Sequence, residues 1–167
     1  GRMWRADQAG LLAPIDSEIL NARIPAHLRH PDGHWFGFSQ RARIIFYDKE
    51  TVDRPPMTYE ELADPRYEGM VCMRSSSNIY SLSLLASIIE HHGEELATDW
   101  AQGLKNNLAR DPQGGDTDQL RGIVSGECPI AVSNTYYFAR ALRKDVDGLS
   151  GSTDGIGWVF PNQSGRG

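Results

Sequence analysis

The stretch PIAVSNTYYFARALRKD, residues 129–145, passes from a short apolar run directly into a helix-like pattern. Its first half is apolar and bounded by polar residues, which predicts a buried strand, and its second half predicts a helix. The same order recurs where EGMVCMR, residues 68–74, is followed by SSSNIYSLSLLASIIEHHG, residues 75–93. Alternating strands and helices predict an α/β fold with a largely parallel sheet flanked by helices.

Shorter segments fit the same framework. The segment of residues 16–28 predicts a first short helix, which is capped by Asp16 and ends before Pro25. Thr58 and Glu61 have the capping-box spacing of another helix. The strongest helix places five apolar residues on one face, and Gly93 follows as its C-terminal cap. The predicted apolar face consists of Ile79, Leu82, Leu85, Ile88 and Ile89. The remaining predicted elements are an extended segment over 36–47, helices over 94–108 and 117–126, and a strand over 155–160.

Composition excludes some classes of partner. The formal net charge is −5 and the pI is about 5.5, whereas a nucleic-acid-binding protein needs a basic stripe. No apolar run approaches the length of a membrane span. The sequence therefore indicates a globular α/β protein that does not bind nucleic acid.

The two cysteines are predicted not to form a strong disulfide. Cys72 lies near the end of its strand and Cys128 near the start of another. In parallel neighbours this offset is about three residues, or roughly 10 Å. A disulfide needs Cα atoms within about 7 Å of each other. A disulfide remains the alternative if the protein is secreted, and otherwise the two cysteines are small buried hydrophobic residues.

Three tyrosines follow the predicted strands. Tyr80 follows the strand that ends near Arg74, and Tyr136 and Tyr137 follow the strand that ends near Ser133. In a parallel sheet these corners share one rim, where ligands bind. Phenolate oxygen is a hard donor suited to a ferric ion, but from the tyrosine pair alone half-buried packing is the favoured interpretation.

Polar residues near these tyrosines have more than one interpretation. Arg140, one turn after Tyr136, is placed to offset phenolate charge or to hold an anion. The segment RSSSN, residues 74–78, predicts either an oxyanion site that uses Ser75 and Ser76 or ordinary helix capping. A third alternative is a serine hydrolase whose nucleophile is one of Ser75 to Ser77.

Four stretches carry a resemblance to a known family. GHWFGFSQRARIIFYDK, YEGMVCMRSSSNIYSLSLLASII, SGECPIAVSNTYYFARAL and GIGWVFPNQSGRG are similar to the periplasmic ferric-iron-binding proteins. These are the substrate-binding subunits of bacterial iron(III) ABC importers and have the type II periplasmic binding protein fold. The resemblance covers nearly the whole chain, and its most specific parts are the tyrosine after RSSSN and the NTYY pair.

The resemblance implies a site and a role without catalysis. Tyr80, Tyr136 and Tyr137 are implied as ligands of Fe(3+), and Arg140 as a supporting residue beyond them. In SQRAR, Arg41 is the first match to a family arginine and Arg43 the alternative. Fe(3+), a small synergistic anion, a periplasmic location and an ABC permease partner in the inner membrane follow as expectations. A protein of this fold that binds an oxyanion or another small solute is the nearest alternative.

The resemblance also implies a truncated chain, because members of the family are about twice as long and have two lobes. Residues 1–42 are expected to be a remnant of the first lobe and the hinge strand. Residues 43–158 form the second lobe, and residues 159–167 begin the return to the first. The leading segment carries many apolar residues that a first lobe would cover, so we expect a two-fold homodimer instead. These residues are Trp4, Leu11, Leu12, Ile15, Ile19, Leu20, Ile24, Trp35 and Phe36.

Overall fold

A computed structural model describes residues 2–143 and 145–164 of the chain. The chain divides into two compact units, Gly1–Gln40 and Arg41–Gly167. Residues 165–167, which end the predicted return segment, lie outside the described residues, as does Lys144 of the predicted last helix. The first of these is unit 1 and the second is unit 2.

Unit 1 is built from short helices and a turn. It contains α1 (Arg2–Gln8), α2 (Glu18–Arg23) and a 3₁₀ turn at Ala26–Leu28. The cap of α2 is Ser17, whose side chain accepts the Leu20 N–H, so the predicted cap at Asp16 is wrong by one residue. Ile24 is buried, in contrast to other apolar residues of this unit. Those with exposed side chains are Met3, Trp4, Leu11, Ile15, Ile19 and Phe38.

Unit 2 contains a four-stranded sheet. The strands are β1 (Arg43–Asp48), β2 (Val71–Cys72), β3 (Ile130–Asn134) and β4 (Ile156–Val159). They lie in the order β2-β3-β1-β4. The α/β class is confirmed. The sheet is mixed, since β2 and β3 are parallel while β1 is antiparallel to both β3 and β4. β2, β3 and β4 therefore share one direction, and β1 runs against them because it enters the sheet from the opposite end.

Helices cover both faces of this sheet. They are α3 (Ile79–Asn106), α4 (Asp116–Val124) and α5 (Thr135–Arg143). Gly93 has a φ of 83° within α3, a conformation that glycine adopts easily, and it breaks α3 at the predicted place. Short 3₁₀ turns occur at Glu60–Ala63, Pro65–Tyr67 and Thr153–Gly155. None of the helices in the described ranges is long and apolar enough to cross a membrane.

Two clusters of buried side chains sandwich the sheet. Ile45 and Val132 pack with residues of α3, such as Trp100, on one face. Phe46 and Ala131 pack on the other face with α4 and α5. This alternation along adjacent strands is the period-two pattern of a sheet buried on both sides. All five residues of β3 are buried, so the strand that leads to the tyrosine pair is central to the core.

The apolar face of α3 differs from the predicted one. Ser81, Leu84 and Ile88 are buried, at helical spacing, and they face the sheet. Ile79, Leu82 and Ile89 are exposed, so most of the predicted face is wrong. The reason is that isoleucine and leucine occur on more than one face of this helix. Periodicity alone therefore did not distinguish the buried stripe from the exposed one.

Cys72 and Cys128 form a disulfide, which contradicts the prediction. Their Cα atoms are 5.7 Å apart. The register pairs Cys72 with Ala131, so the expected offset of three residues is present. The chain before Ile130 is not extended, however, because the Cys128 N–H bonds to the Gly122 carbonyl at 3.1 Å. This turn brings the cysteine back toward β2.

Candidate metal centre

Two strand-to-helix corners bring tyrosines together. Tyr80 is in the first turn of α3, where the Asn78 side chain accepts its N–H at 3.0 Å. Tyr136 is in the first turn of α5, which begins directly after β3 ends at Asn134. Because β2 and β3 are parallel, both corners lie at the same edge of the sheet. The two phenol oxygens of Tyr80 and Tyr136 are 3.2 Å apart, as the shared rim predicted.

Tyr137 completes a cluster of three phenols. Its ring centroid lies 4.2 Å from that of Tyr136, with 31° between the ring planes. Burial, followed by the neighbouring phenols of Tyr137 and Tyr80, raises the pKa of Tyr136 above its ordinary value. The phenol is therefore protonated at neutral pH, and a metal ion that binds it must displace the proton.

Arginines surround the phenols. The guanidinium of Arg41 lies 5.5 Å from the ring centroid of Tyr136, and that of Arg140 lies 5.6 Å from Tyr137. Both distances are within the range of cation–π attraction. Arg140 also donates to the Thr117 hydroxyl at 3.1 Å. The predicted arginines Arg41 and Arg140 therefore each contact one ring of the tyrosine pair.

Tyr80 contacts two further guanidinium groups. Arg43 and Arg74 lie 5.5 and 5.3 Å from its ring centroid. The alternative matches in SQRAR, Arg41 and Arg43, therefore both contact the tyrosine cluster, each at a different ring. Arg74, which was not predicted as a site residue, lies two residues after β2 and is the first residue of RSSSN.

Asp116 holds these arginines in place. Its side chain is fully buried, and its two oxygens form ion pairs with Arg43 and Arg74, each at 3.2 Å. The backbone N–H of Asn134 donates to the same carboxylate at 2.7 Å. Burial lowers the pKa of Arg43, while the negative charge of Asp116 opposes this change. One carboxylate thus connects β1, the loop after β2 and the end of β3.

Sequence reasoning missed Asp116, although a signal was present. It is the last residue of the glycine-rich stretch QGGD and the first residue of α4, at a helix start next to the predicted rim. An acidic residue at a helix N-terminus has an ordinary explanation in the helix dipole. Its pairing with Arg43 depends on a contact 73 residues apart in sequence, which no local pattern reveals.

The serine loop is exposed and does not resemble a hydrolase site. Ser75 and Ser76 are exposed. The Ser75 hydroxyl pairs with that of Ser77 at 2.9 Å and accepts the Ser77 N–H at 3.3 Å. Within residues 2–143 and 145–164, no histidine or carboxylate hydrogen-bonds to Ser75. A nucleophilic serine needs such a base. The cap of α3 is the Asn78 side chain, so the segment does cap the helix, but through asparagine and not through serine.

In a sheet covered by helices on both faces, small ligands bind at the carboxyl ends of the parallel strands, which is where the tyrosines lie. The chain belongs to the family described as bacterial extracellular solute-binding protein, whose model matches residues 3–163.

Relatives within this architecture are named for iron. Iron uptake protein A1 of Synechocystis sp. is 47% identical over 167 residues, which are 99% of this chain and 46% of that protein. A Trichodesmium protein (IdiA, FutA) solved in complex with iron and citrate is 48% identical, with a TM-score of 0.91; the match covers 99% of this chain and 53% of that one. The ferric binding protein from Campylobacter jejuni is 41% identical, with a TM-score of 0.89 and the same coverage. The chain spans about half the length of these relatives.

Proposed function

We propose that this chain binds ferric iron through the phenolate oxygens of Tyr80, Tyr136 and Tyr137. The observation that carries the proposal is the 3.2 Å separation of the Tyr80 and Tyr136 phenol oxygens, with the ring of Tyr137 tilted by 31° against that of Tyr136. Phenolates are hard donors that suit a hard trivalent ion. The names of the relatives, which refer to iron uptake and to iron complexes, support the same ligand.

The charge around the cluster favours an accompanying anion. Three phenolates balance the charge of one ferric ion. The surrounding guanidinium groups of Arg41, Arg43, Arg74 and Arg140 outnumber the single carboxylate of Asp116. A small anion near Arg140 or Arg41 would offset this excess and fill the remaining coordination positions. Citrate in the Trichodesmium complex is an anion of this kind.

For the whole protein we propose delivery of iron to an ABC permease of the inner membrane, from a periplasmic location and without catalysis. Residues 1–42 would belong to a first lobe and its hinge, residues 43–158 to a second lobe, and residues 159–167 to the return. Membership of the extracellular solute-binding family supports this assignment.

Self-association is a separate proposal for this chain. Trp4, Leu11, Ile15 and Ile19 are exposed in unit 1, and a second copy that covers them would bury apolar surface. Sedimentation at micromolar concentration tests this, since we expect a dimer. A monomer whose first forty residues resist protease would contradict it.

The test of iron binding is titration with iron(III) supplied as its citrate complex, followed by visible absorption. Tyrosinate–iron(III) charge transfer gives a visible band, which we expect to appear at one iron per chain. Changing Tyr136 or Tyr137 to Phe keeps the ring but removes the donor oxygen, so affinity should fall by at least about tenfold. Tyr67→Phe is the matched control, because the Tyr67 hydroxyl instead donates to the Arg54 carbonyl at 2.8 Å.

The outcomes separate iron binding from the alternative. If both Phe variants kept the full band and affinity, the ligand assignment would be wrong. Because iron must displace phenol protons, affinity should also fall as the pH falls. The arginine excess favours an oxyanion as the second candidate ligand. A colourless chain that binds phosphate or sulfate, with loss of affinity in Arg140→Gln, would support that alternative.

A further inference from the structure

A second group of metal-type side chains lies within unit 1. Asp7, His30 and His34 each offer a ligand atom, and these atoms lie within 4.8 Å of one another. Asp7 is near the end of α1, and the two histidines flank the turn formed by residues 31–33. The group shares no residue with the tyrosine cluster.

The two imidazoles share one carboxylate. Nε2 of His30 is 3.2 Å from Oδ2 of Asp7, and Nδ1 of His34 contacts Oδ1 of the same group. The rings stack with centroids 4.5 Å apart and planes within 6° of parallel. Each carboxylate oxygen therefore faces one ring nitrogen, and both kinds of donor atom lie close together.

Backbone hydrogen bonds hold the histidines at this spacing. The His30 N–H donates to the Trp35 carbonyl at 2.9 Å, and the Gly33 N–H donates to the His30 carbonyl at 3.1 Å. Gly33 has a φ of 76°, and a Cβ there would lie 2.6 Å from the Ile15 carbonyl oxygen. The turn therefore requires glycine, and it presents His30 and His34 from a closed backbone.

The charge at Asp7 calls for a cation. Its side chain is 12% exposed, and the histidines are 18% and 26% exposed. The carboxylate also lies near the C-terminus of α1, where the helix dipole disfavours negative charge. Among the side-chain hydrogen bonds and ion pairs of the described residues, its partners are these two imidazoles. A buried carboxylate needs a compensating positive charge.

We propose that Asp7, His30 and His34 bind a divalent transition-metal ion of the zinc class. Two imidazole nitrogens and one carboxylate oxygen form a donor set that suits Zn²⁺, Ni²⁺ or Cu²⁺ better than ferric iron. Three protein ligands leave a fourth position for water or an exogenous ligand. A dication also supplies the charge that the Asp7 carboxylate needs.

Binding changes the rings in a defined way. The stacked imidazoles turn about χ2 so that their lone pairs point at the ion. Each neutral ring keeps one proton, which moves to the nitrogen that does not bind the metal. For His30 that nitrogen is Nδ1, which accepts the Asp32 N–H at 3.1 Å in the structure, so this hydrogen bond is exchanged for the metal bond.

The other cluster of metal-type groups is not available. Cys72, Glu127 and Cys128 lie close together, but both sulfur atoms are joined in the disulfide. Thiolate is the form of cysteine that binds metals, so this group carries no site in the oxidised chain.

The test is calorimetric titration of the chain with Zn²⁺, in a variant that carries Tyr136→Phe and Tyr137→Phe so that the tyrosine cluster does not compete. We expect one Zn²⁺ per chain. His30→Gln, His34→Gln and Asp7→Asn should each weaken binding by at least about tenfold. His27→Gln is the matched control, because His27 is an exposed histidine of the same unit. Circular dichroism checks that each variant folds.

A second measurement needs no change in the cluster. Electron paramagnetic resonance of one equivalent of Cu²⁺ on the wild-type chain should show coupling to imidazole nitrogens. Zn²⁺ binding that survives all three substitutions would overturn the proposal. So would the absence of both Zn²⁺ binding and nitrogen coupling in the folded chain.

Discussion

The two corners that carry the tyrosines are built differently. At the first corner, residues 73–78 connect β2 to α3, and the helix cap is local, because Asn78 accepts the N–H of Tyr80. The one distant ion pair of this segment described above is that of Arg74 with Asp116. At the second, α5 begins at Thr135 directly after β3. Distant residues hold that corner, since the Thr135 N–H donates to the Ala42 carbonyl at 2.9 Å and Asp116 accepts from Asn134.

The two corners therefore show the separate contributions of local capping and of long-range contacts to the structure of the site. A capped helix start depends on neighbouring residues and can lose its cap with little effect elsewhere. A corner held by a buried carboxylate depends on strands that are far apart in sequence. Damage to the second corner should therefore cost more stability, and it should disturb the arginines at the same time.

The largest expected effect is that of Asp116→Asn. The variant keeps an acceptor for the Asn134 N–H but leaves Arg43 and Arg74 without their shared carboxylate. Removing one partner from buried ion pairs typically costs about 3–5 kcal/mol. Urea denaturation should show a loss of this size in the free energy of unfolding. The control is Asp99→Asn, an exposed position on α3, and equal stabilities of the two variants would contradict the role of Asp116.

Loss of the disulfide should have the next largest effect. Cys72 and Cys128 are 56 residues apart, and removal of a native disulfide typically costs about 2–5 kcal/mol. The double variant Cys72→Ala/Cys128→Ala should unfold at lower urea concentration than the oxidised chain. The reduced wild-type chain should match the double variant. Intact mass with and without reductant verifies the bond, and superimposable urea curves would show that it adds nothing.

Gly122→Ala should lower the free energy of unfolding by less than loss of the disulfide does. A Cβ at this helical position would overlap Cys128 Sγ and lie 3.4 Å from Cys72 Sγ. Overpacking of a core typically costs about 1–3 kcal/mol, which exceeds the gain in helix propensity of about 1 kcal/mol. Urea curves measure the loss. At Gly155 a Cβ meets open space, so Gly155→Ala is the steric control.

The same substitution made together with Cys72→Ala/Cys128→Ala sharpens this test. Without the sulfur atoms the new methyl group has room, so Gly122→Ala should no longer destabilise. If it destabilised both backgrounds equally, contact with the disulfide would not be the cause.

The smallest expected effect is that of Asn78→Ala. Loss of an N-cap costs about 1 kcal/mol of stability, because the first turn of α3 loses the acceptor for one N–H. Asn78→Asp retains a capping oxygen and should stay near wild type. Iron titration of both variants tests whether the cap positions Tyr80. If Ala and Asp unfold at the same urea concentration, the first corner is not held by its cap.

Local patterns predicted most of the fold. The order of strands and helices, the break at Gly93 and the positions of both tyrosine corners follow from periodicity, glycine and polar caps. The direction of β1 did not, because strand pairing is a long-range property. The disulfide was missed for a related reason: the turn before Ile130 is set by a hydrogen bond to Gly122, which residue spacing does not reveal.

The candidate site, like the fold, was predicted in part from the sequence. Phenols at the ends of two parallel strands could be expected to meet, and Tyr80 and Tyr136 do. Helical spacing pointed to Arg140 and the family resemblance added Arg41 and Arg43, and all three contact the tyrosines. Arg74 and Asp116 could not be ranked, because an arginine and an aspartate are ordinary residues until the fold places them together. Their importance comes from burial, which a sequence pattern does not measure.

The direct junction between β3 and α5 restricts insertions and deletions. A helix turns by about 100° per residue, so one residue added after Asn134 would rotate Tyr136 and Tyr137 away from Tyr80. One residue added among the exposed serines 75–77 lengthens only a surface turn, which can bulge outward while Met73 and Arg74 keep their buried contacts. Length variation among descendants of this sequence should therefore accumulate at the first corner and be eliminated at the second.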